Sequence, residues 1–316
     1  MKSLLLLVAV AALLSRGVAC DFCNSLNGIN PYYSGNDKVM IHFLSQRSVS
    51  SLEGQPHHTS SLAKASHPNA LNGIHHGGEE GTTESRTTFE LAYQHHLSDN
   101  VIVMAIIPFS RTSVSSSASM TSEGFGDATV LSHYRIALHD DDEQHLMLLV
   151  GGGVKVPTGK ADLQSASGKR LESNLQLGTG STDVVLNTTL IVQYGLWTLG
   201  FDAFGKINTT NTFGERMGHS LSLSLLASHD LYRKNSSLFA LIGTAGFRTE
   251  LSARDRKGGS VVHASGFANT YGNLGTQVVY DWIRLDLSLL LPLIQNRSTK
   301  MPNESTRVLG GVRFEF

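Results

Sequence analysis

From residue 85 onward the chain keeps a period of two. Phe89, Leu91 and Tyr93 alternate with Thr88, Glu90, Ala92 and Gln94, and Val101, Val103, Ala105, Ile107 and Phe109 share one face of the next segment. Past Gly124-Phe125-Gly126, Ala128, Val130, Tyr134 and Ile136 oppose Asp127, Thr129, His133 and Arg135. Leu146, Leu148, Val150, Val154 and Val156 oppose Met147, Gly151, Gly153 and Lys155. Val184, Leu186, Leu190 and Val192 oppose Asp183, Asn187, Thr189 and Gln193, and Trp197, Leu199, Phe201 and Ala203 oppose Thr198, Gly200, Asp202 and Lys206. A row of Leu221, Leu223 and Leu225 faces away from Ser220, Ser222 and Ser224. Ile283, Leu285, Leu287 and Leu289 run against Trp282, Arg284, Asp286 and Ser288, and Val308, Val312 and Phe314 against Arg307, Leu309, Arg313 and Glu315. Such alternation marks strands with unlike faces. With Lys38 to Arg47, Leu238 to Glu250 and Asn269 to Tyr280, it predicts about twelve strands, mostly about 10 to 13 residues long.

Strands of soluble sheets average about 5–6 residues, whereas a tilted strand needs about 9–11 to cross a bilayer. Twelve long strands without an amphipathic helix between them would need a core far broader than one sandwich offers. A closed antiparallel up-and-down barrel solves this by turning the apolar face to lipid and the polar face to the lumen. The expected fold is therefore an all-β transmembrane barrel of residues 38–316, closed by a C-terminal strand ending in Phe316. Small inward residues (Gly151, Gly153, Gly200) suit an interior where side chains must leave room.

Composition agrees. Of 316 residues, 41% are hydrophobic and only 16% charged, with 31 Gly and a formal net charge of -1. That balance argues against disorder and against nucleic acid as a partner. The N-terminus reads as a signal peptide over residues 1–19: Lys2, the run Leu4 to Leu14, then Gly17-Val18-Ala19 before the cut. Residues 20–37 then form an N-terminal periplasmic segment, which opens with Cys20 and Cys23, the chain's two cysteines. Three fates stay open for them: a mutual disulfide, lipidation of Cys20, or metal binding.

Long and short connections alternate. Leu97 to Asn100, Gly195-Leu196 and Asp281 are tight, while residues 48–84, 111–124, 158–181, 209–218, 251–265 and 295–306 are long and polar, as expected of periplasmic turns and extracellular loops. Phe125-Gly126-Asp127, Gly153-Val154-Lys155-Val156-Pro157-Thr158-Gly159-Lys160 and Gly178-Thr179-Gly180-Ser181-Thr182-Asp183 follow one another here. Their order resembles outer-membrane transporter-like proteins grouped with the putative meta-pathway of phenol degradation, and Ala19 to Cys23 resembles Bacteroidota members. The resemblance implies a small passive barrel in the outer membrane of a Gram-negative cell, with no catalytic residues to carry over. Its partners would be outer-membrane lipid, the barrel-assembly machinery that reads the C-terminal strand, and a small solute, apolar ones included.

Candidate chemistry divides in two. Asp127, His133, Arg135, Lys155, Asp183, Asp202, Lys206, Arg284, Asp286, Arg313 and Glu315 project into the expected lumen, where they would pair or bind a solute. His57, His58, His67, His75 and His76 crowd the loop at 48–84, and with Cys20 and Cys23 they offer an alternative: a non-conducting barrel that captures a transition metal or a partner protein. The bland reading of that loop is a flexible polar surface. Gly159-Lys160 lacks the following Ser/Thr of a phosphate loop. No cofactor is expected. Nor is an enzyme, since His133 and Ser220 both point inward and suggest no partnership.

Overall fold

A computed structural model of the chain describes residues 37–49, 83–115, 119–140, 144–165, 167–233, 239–297 and 303–316. The expected signal peptide, Cys20, Cys23 and the five histidines of the expected 48–84 loop lie outside the described residues. Twelve staves make up the wall: β1 Lys38–Val49, β2 Thr83–His96, β3 Val101–Ser115, β4 Ala128–Asp140, β5 Gln144–Val156 and β6 Asp183–Tyr194. They continue as β7 Trp197–Ile207, β8 Ser220–Arg233, β9 Phe239–Ser252, β10 Phe267–Tyr280, β11 Ile283–Arg297 and β12 Arg307–Glu315. Each pairs antiparallel with the next, and β12 returns to β1 from Lys38↔Glu315 to Ser45↔Val308, so the sheet closes. Closure satisfies the backbone of the first and last strands, which would otherwise be open edges.

The wall is inside-out relative to a soluble protein. On β9, Phe247 is 58% exposed on the outer face while its chain neighbour Arg248 is 2% exposed on the inner one. Outward aromatics collect at the short-turn end: Tyr93, Tyr194, Trp197, Tyr280 and Trp282. Trp282 belongs to this girdle, packing on Phe314 with 5.6 Å between ring centroids, and not to the inward row the alternation gave it. Phe109 and Phe125 meet edge-on nearer the long-loop end. From Phe125 to Tyr134 the tilted strand rises about 23 Å, close to the ~25 Å apolar band of such barrels.

Two expectations are corrected. Within the expected loop at 111–124, residues 111–115 and 119–124 are strand: β3 runs on to Ser115 and pairs with a strand Ser119–Phe125 that leads into β4. The register between them shifts at Gly126-Asp127. Opposite that bulge stands Pro108, which has no N–H to give but accepts one from Gly126 at 2.9 Å. Pro292 likewise sits at the register shift between β10 and β11, since a mid-sheet proline is tolerated at a bulge.

The inner face is also not wholly polar. Met40, Ala92, Met104, Ile106, Leu131, Val185 and Phe204 form one buried cluster inside, and Leu44, Tyr271, Leu290 and Leu309 a second. Two inward glycines have a different cause from lumen space. A Cβ on Gly153 or Gly246 would come within 2.0 Å of the carbonyl oxygen of Val130 or Leu225 on the adjacent stave. They permit the tight coiling of the wall itself.

Candidate functional site

The bulge at Gly126-Asp127 re-aims Asp127 into the barrel, where Lys155 of β5 meets it at 2.6 Å and meets Asp183 of β6 at 2.9 Å. Asp127 also accepts the backbone N–H groups of Gly159 at 3.0 Å and Thr179 at 2.8 Å. Asp183 accepts the hydroxyl of Ser181 and the N–H of Thr209. Thr158 donates to the Gly126 carbonyl and accepts from the N–H of Ala128. Gly159 and Gly178 are in backbone contact, since a Cβ on Gly159 would lie 2.9 Å from Cα of Gly178. The three motif segments are thus one clasp that pins the 157–182 connection against the barrel mouth. Asp127, Lys155 and Asp183 spend their polar atoms on the fold, which sets them apart from the other candidate lumen residues.

Above the clasp, three long connections are tied together. Glu215 receives Arg170 at 2.8 Å, Lys257 at 2.7 Å and the Ser173 hydroxyl at 2.9 Å. Short strands Glu215–Arg216, Arg256–Lys257 and Ser260–Val261 pair into a small sheet, and Asn211 donates to the carbonyl of Thr179. Burial pushes the Glu215 carboxyl up, but hydrogen bonds from Lys257, Arg170 and Ser173 outweigh it and hold it at about 2.

Within the barrel three polar groups follow one another. Against β6 and β7, Asp202 accepts from Asn187 and Thr189 at 2.8 Å each, and the His133 ring bonds Asn187 Oδ1 at 2.9 Å. His133 is thereby engaged with Asn187, not Ser220. Across β9, β10 and β12, Arg307 grips Glu250 with both terminal nitrogens at 2.8 and 3.0 Å and donates to the Tyr271 hydroxyl at 2.6 Å. Arg248 adds a 2.8 Å contact to Glu250, and Glu304 and Arg297 extend the belt. At the short-turn end, Glu315 joins Arg284 at 2.8 Å and Lys38 at 3.6 Å, beside Arg313, Asp286 and His42. Arg135 and Lys206 have partners of their own.

The sequence pattern therefore found the lumen residues of β4 to β7, β11 and β12 but missed the belt. Arg248, Glu250 and Tyr271 lie on the two staves whose alternation was least regular. Lys38 and His42 were within reach, two positions either side of Met40 on β1. At the outer surface of the short-turn end, Asp37 accepts the His96 N–H at 2.9 Å and bonds the His95 ring at 2.6 Å. The His96 N–H and the His95 side chain hold its carboxyl at about 2.

Most inward side chains are buried, with Arg307 at 1%, Arg248 at 2% and Tyr271 at 0% exposure. Twelve strands ~4.8 Å apart and tilted by ~40° enclose a cylinder of about 12 Å radius to the backbone, which long side chains from opposite walls nearly fill. Among solved structures, an outer-membrane channel from Pseudomonas putida F1 matches with a TM-score of 0.64 at 15% identity, covering 95% of this chain and 100% of that one.

The fold is an outer-membrane barrel fold.

The β domain of the Bordetella autotransporter BrkA matches at TM-score 0.47 and 8% identity, covering 90% of this chain and 100% of that one. A Pseudomonas aeruginosa FadL homologue matches at 0.36 and 9%, with 88% of each chain covered. No family model matches the chain, and no curated protein matches it. The resemblance to the phenol meta-pathway group thus rests on sequence motifs and strand pattern, and the motif between Phe125 and Asp183 has a structural explanation in the clasp.

Proposed function

We propose that this chain is an outer-membrane barrel that passes a small solute selectively, and not a general pore. The observation that carries this reading is the divided interior. An apolar wall of Met40, Met104, Ile106, Leu131, Val185 and Phe204 shares the lumen with the ionic belt of Arg248, Glu250, Tyr271 and Arg307. A structural barrel would be served by either filling alone, whereas a solute with an apolar body and a polar end meets both. The fold likeness to the Pseudomonas channel supports the same reading. Because the inward side chains are packed together, passage requires the belt to yield.

Export by a signal peptide, assembly through the C-terminal strand, and insertion in outer-membrane lipid belong to this proposal. The test is flux and conductance in reconstituted bilayers, for the native chain and for an Arg307→Ala/Glu250→Ala double variant. Small, solute-dependent permeability that rises several-fold in the variant supports the reading. Permeability equal to empty bilayers for both proteins would end it. The filled interior also favours one competing reading, a non-conducting barrel. Zinc or copper binding lost on replacing His57, His58, His75 and His76, together with no flux, would support that instead.

A further inference from the structure

In the half toward the long loops, the outward rows of the wall are almost free of charge. Among the described residues of the twelve staves and of strand Ser119–Phe125, the outward charges there are Arg47, Arg111 and Glu123. All of them fall in one sector of adjacent strands, β1, β2, β3 and Ser119–Phe125. Elsewhere the same rows end in exposed apolar residues such as Val184, Ile207, Leu221 and Leu251. A charge turned to lipid is costly inside the apolar band and nearly free at its edge, so the level of these residues decides what they meet. Arg47 and Arg111 each stand about ten residues from the short-turn end of their stave, which on a tilted strand is about 25 Å, the height of the apolar band. Both arginines therefore stand where acyl chains give way to head groups.

The sector offers cations and hydroxyls above an apolar floor. In register, Arg47 and Arg111 are two staves and two residues apart, about 12 Å between Cα atoms. The outward positions beside and between them are Ser85, Thr87 and Ser113. The Arg47 side chain meets no carboxylate among the described residues. Arg111 is 3.6 Å from Glu123, but the two side chains are 63% and 48% exposed, a pair that water screens and that opens at little cost. Closer to the bilayer centre on the same face, Phe43, Phe89, Phe109 and Phe125 lie on one register line across the sector. Phe43 packs on Phe89 with 5.2 Å between ring centroids, and Phe109 on Phe125 with 5.3 Å. Leu91 and Ile107, both exposed, extend this surface further into the band. Arginine matches phosphate by charge and by its fork of donors, and the rings match acyl chains. A zwitterionic head group would bring its own cation to the two arginines, and a free phosphate would use nothing of the phenylalanine row.

We propose that the outer face of β1, β2, β3 and strand Ser119–Phe125 binds a phosphate-bearing lipid of the leaflet at the long-loop end, with its phosphate on Arg47 and Arg111 and its acyl chains along the phenylalanine row. The site rests on insertion of the barrel in the outer membrane and is independent of solute passage. The full chain in nonionic detergent is given lipid A with its phosphates, the same lipid with the phosphates removed, and inorganic phosphate, and bound molecules are counted by native mass spectrometry. Phosphorylated lipid A should bind about tenfold more tightly than the dephosphorylated lipid, the value of one charge-assisted hydrogen bond. That preference should fall below about twofold in Arg47→Gln/Arg111→Gln. Glu123→Gln should bind the phosphorylated lipid at least as tightly as the native chain, because a carboxylate that competes for Arg111 is gone.

The substituted side chains are exposed, so both variants should keep the resistance to SDS that marks a closed barrel. Equal affinity of the native chain for the two lipids overturns the site, as does an undiminished preference in the closed double variant. Inorganic phosphate bound as tightly as the phosphorylated lipid overturns the assignment to a lipid. Flux is scored separately: lipid preference without permeability keeps this site and removes transport, and permeability without preference does the reverse.

Discussion

Replacing Lys155 with Met tests whether the glycine-rich motif is a clasp. Lys155 and its two carboxylates are 6%, 5% and 0% exposed at their side chains, so water screens them poorly. With contacts of 2.6 and 2.9 Å, each ion pair has a gross attraction of ~6 kcal/mol at an effective dielectric of ~20. Desolvation cancels much of that, and the measurable loss is the cost of leaving two carboxylates buried together without their cation, about 3–5 kcal/mol. Urea unfolding of the reconstituted barrel should show a loss of that size. Trypsin should also cut the native protein slowly at Lys160, Lys169 and Arg170 and the variant at least tenfold faster, because the 157–182 connection is released. The triple variant Lys155→Met/Asp127→Asn/Asp183→Asn should recover part of the loss, since no net charge is then stranded. A stability change under about 1 kcal/mol with unchanged cleavage would refute the reasoning.

The other expectations are independent of the clasp. Gly153→Ala and Gly246→Ala should each lower the yield of SDS-resistant barrel sharply, because the new methyl meets a neighbouring carbonyl at 2.0 Å, whereas Gly205→Ala, with open space around it, should fold normally. Glu215 has a carboxyl depressed from 4.5 to about 2, so its contribution is complete above pH ~4.5 and is lost as the pH falls toward 2. Pepsin cleavage of the 167–182 segment should accordingly be slow at pH 4 and faster at pH 2, while Glu215→Gln is fast at both; identical profiles would contradict the hub. Arg307→Met should cost about 1.5–3 kcal/mol in urea, because buried Glu250 loses its bidentate partner while Arg248 still compensates its charge.

Reading these residues in order shows where the sequence suffices. A period of two is a property of the backbone: successive side chains point to opposite faces, so Leu221, Leu223 and Leu225 had to share one side wherever the strand lay. The same rule placed Asp127, Lys155, Asp202, Arg284 and Arg313 inward. Strand length and the absence of intervening helices then left a lipid-facing barrel as the solution that buries the apolar face.

Partnership was not legible, because it depends on register between strands far apart in the chain. Nothing local says that Arg307 meets Glu250. The bulge opposite Pro108 turned a supposed loop into a hairpin and aimed Asp127 at Lys155, converting a motif that resembled a transporter signature into a fastening. The apolar inner wall escaped notice for a related reason: Ile102, Met104 and Ile106 interleave with Val101, Val103 and Ile107, so β3 is apolar on both faces and its alternation is silent. The sequence determined which face each side chain takes; closure of the sheet alone decided which side chains meet across the lumen, since a shift of one residue between two staves would exchange every such pair.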